Sequence, residues 1–153
     1  MIVLDADVLL FDIRYGRDPR FAVNKQVLDY FRQSQIPLGI TCQTLLEILG
    51  VCTFNLRRSD LSDLADQIPV IYRLAILPDP SGDPSYVGAS YREVRDQIAN
   101  RLSLGDSVTV LQLRKYIPQA VCFLTWNARH FQGQLAIPAL TPEEWWRANQ
   151  PRP

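Results

Sequence analysis

Apolar residues along this chain arrive in two rhythms. Short unbroken runs, one opening the chain and others at residues 37–40, 74–77, 120–125 and 135–137, have the length and continuity of strands buried on both faces. Between them, residues 21–33, 41–55, 60–72, 85–100 and 105–116 read as helices, and residues 8–13 suit a short one. Phe21, Val27, Leu28 and Phe31 mark the core face of the helix over 21–33, while Leu45, Leu46, Ile48, Leu49, Val51, Cys52 and Phe54 build the next. Ser59-Asp60 is the expected cap of the helix reaching Tyr72, residues 14–20 form an exposed turn, and 79–84 a loop. Thr141-Pro142-Glu143-Glu144 is a capping box with proline at the first helical position, opening a last helix that carries Trp145 and Trp146. Strands alternating with helices throughout predict an α/β fold, a three-layer α/β/α sandwich around a mostly parallel central sheet. It forms a single domain over residues 1–150, with 151–153 as a frayed C-terminal tail.

Candidate chemistry begins where the first apolar run breaks at Asp5 and Asp7. In an open α/β sheet, ligands bind outside the carboxyl ends of the strands, which is where these two carboxylates fall. A plainer reading makes Asp7 a helix cap, but that leaves Asp5 without a purpose. Glu47 interrupts an apolar helix on the face shared with Gln43, Thr44, Gly50, Val51 and Phe54, and Gly50 would leave room for a ligand. The plain alternative is a half-exposed surface glutamate. Asp106, in Gly105-Asp106-Ser107, stands at a helix start, where a carboxylate is stabilising for local reasons alone. Together the four acids come from separate elements that this topology can bring to one sheet edge. Clustered carboxylates repel unless a cation neutralises them, and an all-oxygen set selects Mg²⁺ or Mn²⁺, ions that also bind phosphate and activate water. Metal-dependent phosphodiester hydrolysis is the chemistry this arrangement suits.

Composition narrows the field. Sixteen basic and sixteen acidic side chains cancel, so any polyanion must be met by a local patch. All the cations except Lys25 and Lys115 are arginine, the residue suited to bidentate recognition of phosphate or carboxylate. Cys42, Cys52 and Cys122 are odd in number and lack metal-site spacing, so they read as small buried apolar residues. His130, the only histidine, reads as a structural or surface residue. No stretch approaches a membrane span, and a reducing cytoplasm is the expected location.

The chain resembles the PIN-domain ribonucleases, most closely the VapC-type toxins of toxin-antitoxin pairs. The resemblance spans almost the whole length and rests on four pieces in order. They are Ile2-Val3-Leu4-Asp5-Ala6-Asp7-Val8-Leu9-Leu10, Thr44-Leu45-Leu46-Glu47-Ile48-Leu49, Leu104-Gly105-Asp106-Ser107, and Phe123-Leu124-Thr125-Trp126-Asn127-Ala128-Arg129-His130-Phe131. The closing Ile137-Pro138-Ala139-Leu140-Thr141-Pro142-Glu143-Glu144 is similar to the family's last strand and helix start. The resemblance implies that Asp5, Glu47 and Asp106 are catalytic and hold Mg²⁺ or Mn²⁺, with Asp7 and Asn127 as additional candidate ligands. It implies endonucleolytic cleavage of RNA, a role for Thr125 in positioning substrate, an antitoxin protein across the acidic pocket, and a homodimer. Two departures stand out: Ala6 replaces the family's usual Thr or Ser, and Asn127 stands where many members have a fourth Asp. Two other classes fit fragments of the pattern. A PIN-like module that has lost turnover would bind RNA or protein. A haloacid-dehalogenase-type phosphatase would use Asp5 as nucleophile and Asp7 as acid, but needs a lysine where none occurs between Lys25 and Lys115.

Overall fold

The computed structural model describes residues 1–79 and 88–150. Its centre is a five-stranded sheet, β1 (Ile2–Leu4), β2 (Leu38–Thr41), β3 (Leu74–Leu77), β4 (Cys122–Leu124) and β5 (Ala139–Leu140), in the order β3-β2-β1-β4-β5. Every pairing is parallel. The strand order reverses between β1 and β4, where Leu4 lies opposite Leu124. Such a reversal opens a crevice at the carboxyl ends of the two strands.

Alternation along each strand divides the core in two. Ile2, Leu4, Cys122 and Leu124 point to one face, where they meet helices α1 (Ala6–Ile13), α2 (Phe21–Gln33), α3 (Cys42–Cys52), α4 (Arg58–Tyr72) and α8 (Pro142–Asn149). Val3 and Phe123 point to the other, against Val110 and Leu113 of α6 (Leu104–Tyr116) and Phe131 of the short α7 (Ala128–Phe131). Helix α5 (Tyr91–Ala99) lies against α6. The chain is therefore the expected three-layer α/β/α sandwich. Aromatic edges lock both layers: Phe31 meets Trp145 at 4.6 Å between ring centres, and Phe123 meets Phe131 at 4.9 Å. Pairs of this kind add about 0.5–1.5 kcal/mol beyond the area they bury.

Several boundaries differ from the pattern-based expectation. The last strand is Ala139–Leu140, not residues 135–137, because β4 is short and its register places Ala139 and Leu140 opposite Phe123 and Leu124. Leu135 and Ile137 instead pack against the α6-side core. Helix α5 begins at Tyr91 under a Ser90–Glu93 capping box, so residues 88–90 precede it; residues 85–87 lie outside the described residues, as do 80–84 of the expected loop and the 151–153 tail. Helix α4 begins at Arg58, ahead of the expected Ser59-Asp60 cap. Helix α3 tightens into a 3₁₀ turn at Thr53–Asn55, leaving Phe54 exposed, and Leu46 faces outward as well.

One polar residue on the apolar stripe of α2 ties the crevice region together. Asn24 is fully buried; its amide donates to the Val8 carbonyl at 2.9 Å, and its carbonyl accepts from the Trp126 indole at 3.0 Å. It thus joins α1 and α2 to the turn after β4. Asn24→Ala leaves both partners unsatisfied, and we expect a loss of about 2 kcal/mol in urea denaturation. A loss under about 0.5 kcal/mol, the scale of an ordinary surface change, would show that the brace contributes little.

Candidate active site

Asp5 is the first residue past β1, and its backbone N–H continues the ladder to the Leu124 carbonyl at 2.9 Å. Its side chain caps α1, accepting from the Ala6 N–H at 2.8 Å. The cap thus falls to Asp5, and Asp7 sits in the first turn of the helix. Asp5 is buried, and burial, followed by the neighbouring Asp7 charge, holds its carboxyl well above the usual aspartate range; Glu47 pushes the same way.

Asp7 reaches across to the turn after β4. Its Oδ2 accepts from the Trp126 N–H at 2.9 Å, the Thr125 hydroxyl at 3.2 Å and the Asn127 amide at 3.3 Å. Thr125 is fully buried, and its Oγ1 also accepts from the Asn127 N–H at 3.1 Å. The other oxygen of Asp7, Oδ1, is buried with no hydrogen-bond partner. Burial raises the Asp7 pKa to about 6, against the lowering pull of these hydrogen bonds and of Arg20.

Glu47 approaches from α3, whose start is fixed by Thr41: its hydroxyl accepts from the Thr44 N–H at 3.1 Å. The residue as a whole is exposed, yet its carboxyl is sufficiently enclosed that desolvation raises its pKa, followed by the charges of Asp106 and Asp7. The space beside it is not made by Gly50, which has no neighbour on its side-chain side; it lies at Gly105, where a Cβ would come 3.6 Å from Glu47 Oε2 and 3.5 Å from the Gln43 amide. Asp106 follows in the first turn of α6. The cap there is Ser103, whose hydroxyl accepts from the Asp106 N–H at 3.0 Å, so the Asp106 carboxylate is not needed as a capping group.

The four acids therefore share one electrostatic neighbourhood, Asp5 with Asp7 and Glu47, and Glu47 in turn with Asp106. Among the described residues, no three Asp, Glu, His or Cys side chains are arranged to hold a metal ion. The reason lies in the hydrogen bonds: Asp5 turns back to its own helix and Asp7 toward the turn after β4. The donor set nonetheless suits a hard divalent cation: all its ligand atoms are oxygens, one of them is buried and orphaned, and their mutual repulsion is relieved by positive charge. His130 is exposed, and its backbone N–H donates to the Asn127 carbonyl at 2.8 Å.

Three residues of this region were passed over in the pattern of the sequence. Asn24 is one, and its place on an otherwise apolar stripe was the available signal. Gln112 is another, buried in α6 and accepting from the Gln43 N–H at 3.1 Å, which joins α6 to the start of α3. The third is Arg20, whose charge acts on Asp7 from a turn that looked merely solvated.

No protein-family model matches the chain, and no curated protein matches it in sequence. Solved structures do match in shape. FitAcB from Neisseria gonorrhoeae superposes with a TM-score of 0.60 at 16% identity, covering 94% of this chain and 99% of that one. The fold is that of the PIN domain. FitAB bound to an IR36 DNA fragment gives a TM-score of 0.56 at 15% identity, covering 93% and 95% of the two chains. VapBC2 from Rickettsia felis, bound to a DNA fragment from their promoter, gives 0.55 at 12% identity, covering 92% and 99%. The chain thus spans nearly the full length of these PIN-fold neighbours.

The raised acids give a pH signature. In metal-free protein the folded state holds these protons more tightly than the unfolded chain, so stability falls as pH rises from the ordinary aspartate value of 3.8 through about 6. We expect metal-free Asp7→Asn to be more stable than wild type near neutral pH and to lose part of this gradient. The gain should be about 1–2 kcal/mol, below the roughly 3 kcal/mol that two pH units represent, since Asn keeps only part of the hydrogen-bond set. Chemical denaturation across acid to neutral pH, with chelator, measures it. Identical gradients in the two proteins would show that Asp7 does not set the dependence.

Proposed function

We propose that this protein is a Mg²⁺- or Mn²⁺-dependent endoribonuclease and the toxin of a toxin-antitoxin pair. The observation that carries the reading is the group of mutually repelling carboxylates, Asp5, Asp7, Glu47 and Asp106, gathered at the strand-order reversal of a PIN fold with one buried oxygen left unpaired. Asp5, Glu47 and Asp106 would hold the metal, with Asp7 and Asn127 flanking it. When bound, the ion supplies activated water and charge stabilisation for phosphodiester cleavage. Asp5 contributes a carboxylate anchored at the end of β1 by its helix cap. Thr125 holds Asp7 on one side and the Asn127 backbone on the other, keeping the turn after β4 in register with the substrate path. Asn127 brings an uncharged amide where a further acid would add repulsion, which favours approach of an anionic backbone.

An antitoxin partner is supported by the solved neighbours, two of which, FitAB and VapBC2, were determined bound to DNA. A homodimer and a cytoplasmic location belong to the same reading. Among the described residues, no helix is long and apolar enough to cross a membrane. The phosphatase alternative lacks its lysine, since none occurs between Lys25 and Lys115.

The decisive experiment is cleavage of a generic single-stranded RNA in Mn²⁺. Activity should vanish with EDTA, and Asp5→Asn or Asp106→Asn should lower it at least about a hundredfold without loss of fold, as removal of a group central to the transition state does. Full-rate cleavage in EDTA would refute the metal mechanism; binding without cleavage would point to the inactive RNA-binding module instead. Glu47→Gln should weaken Mn²⁺ affinity by at least about tenfold, since losing even a partner that only supports a ligand costs that much. Unchanged Mn²⁺ affinity by titration calorimetry would return Glu47 to the ordinary surface.

A further inference from the structure

A neutral chain that acts on RNA must meet the polyanion locally, and the sequence places three arginines, Arg14, Arg17 and Arg20, in the turn between α1 and α2. Arg14 is engaged elsewhere, donating to the Val51 carbonyl at 2.6 Å. Arg17 has no hydrogen-bond or ion-pair partner among the described residues. Arg20 is held in a defined pose. One edge of its guanidinium forms a fork to Asp18, with Nε to Oδ1 and Nη2 to Oδ2 both at 2.9 Å. Its carbon lies 4.4 Å from the centre of the Phe11 ring and 5.7 Å from that of Trp126. Trp126 is the residue whose N–H binds Asp7, and the Arg20 charge is felt at Asp7 itself. The guanidinium is therefore a pre-oriented cation at the rim of the acidic crevice, with its Nη1 side not engaged by Asp18.

We propose that Arg20 is a positioning residue that grips a backbone phosphate of single-stranded RNA beside the one cut, with Asp18, Phe11 and Trp126 as its mount. The inference rests on the nuclease reading above. An RNA strand must bring several phosphates past the crevice, and the guanidinium edge turned away from Asp18, Nη1 with the second N–H of Nη2, still offers paired donors to a phosphate's oxygens. A stacked mount loses little entropy on binding. Tyr15, exposed and edge-on to Phe11 at 5.7 Å, extends the same aromatic surface toward the strand.

The test uses the full chain carrying Asp5→Asn, in Mg²⁺, and a short labelled single-stranded RNA followed by fluorescence anisotropy across a salt series. Adding Arg20→Gln should weaken binding about tenfold and flatten the slope of log affinity against log salt by about 0.7–1, the contribution of one phosphate contact. Arg20→Lys should restore the slope while recovering only part of the affinity, a pattern that a purely structural arginine does not give. In the otherwise wild-type chain, Asp18→Asn should raise KM several-fold with kcat unchanged, and this arm decides the matter if Arg20→Gln does not fold. Unchanged affinity and slope in a folded Arg20→Gln protein, or unchanged KM in Asp18→Asn, overturns the proposal while RNA cleavage by the wild-type chain leaves the nuclease reading standing. An Asp5→Asn chain that does not bind RNA, together with a wild-type chain that does not cut it, overturns both.

Discussion

Parallel pairing of β1 with β4 sets Leu4 opposite Leu124, and the meeting of Asp5 and Asp7 with the turn after β4 depends on that alignment. One residue further on, Asp5 leaves the first strand and Thr125 leaves the other, so the acid and the hydroxyl arrive side by side from parts of the chain far apart in sequence. A slip of one residue in this register would turn Asp5 to the opposite face and exchange the side chains packed into the two layers. The buried strands make such a slip costly. Ile2, Val3 and Leu4, with Cys122, Phe123 and Leu124 beside them, are all enclosed between helical layers. Apolar burial therefore supplies the rigidity against which the carboxylates can be crowded together.

Crowding is the opposing term. Three of the acids have raised proton affinity, and burial is the largest cause for each. The site is a local loss of stability sustained by the packing of the surrounding sheet and helices, an arrangement common where a fold keeps charge poised for chemistry. Thr125, Trp126 and Asn127 temper it on one side by donating to Asp7, and Arg20 tempers it from the rim. The unpaired Asp7 oxygen is what these donors leave unsatisfied.

Much of this was legible in the chain because strand burial and helical periodicity are local signals. Helix α2 and strand β3 have the boundaries their patterns predict, and the Thr141 capping box forms as its spacing requires. Asp5 and Asp106 stood out by position, at a strand end and a helix start. What was not legible depends on distant neighbours. The short β5 is chosen by its partner's register, and Leu135 and Ile137, equally apolar, serve the core without joining the sheet. Gly50 had the right spacing from Glu47 but the wrong surroundings, whereas Gly105 lies beside it only because α6 packs on α3. Arg20 looked like one exposed arginine among many until Phe11, Asp18 and Trp126 closed around it.

That Asp5 both ends a strand and caps α1 has an evolutionary consequence. Asparagine and serine cap helices about as well as aspartate does. On the nuclease reading, a lineage could therefore exchange Asp5 for either, lose the proposed metal ligand and keep the helix, the sheet register and the surfaces around the crevice intact. Decay from enzyme to inert binding protein would then follow a smooth path through folded intermediates, with no stretch of misfolded ancestors to be purged along the way.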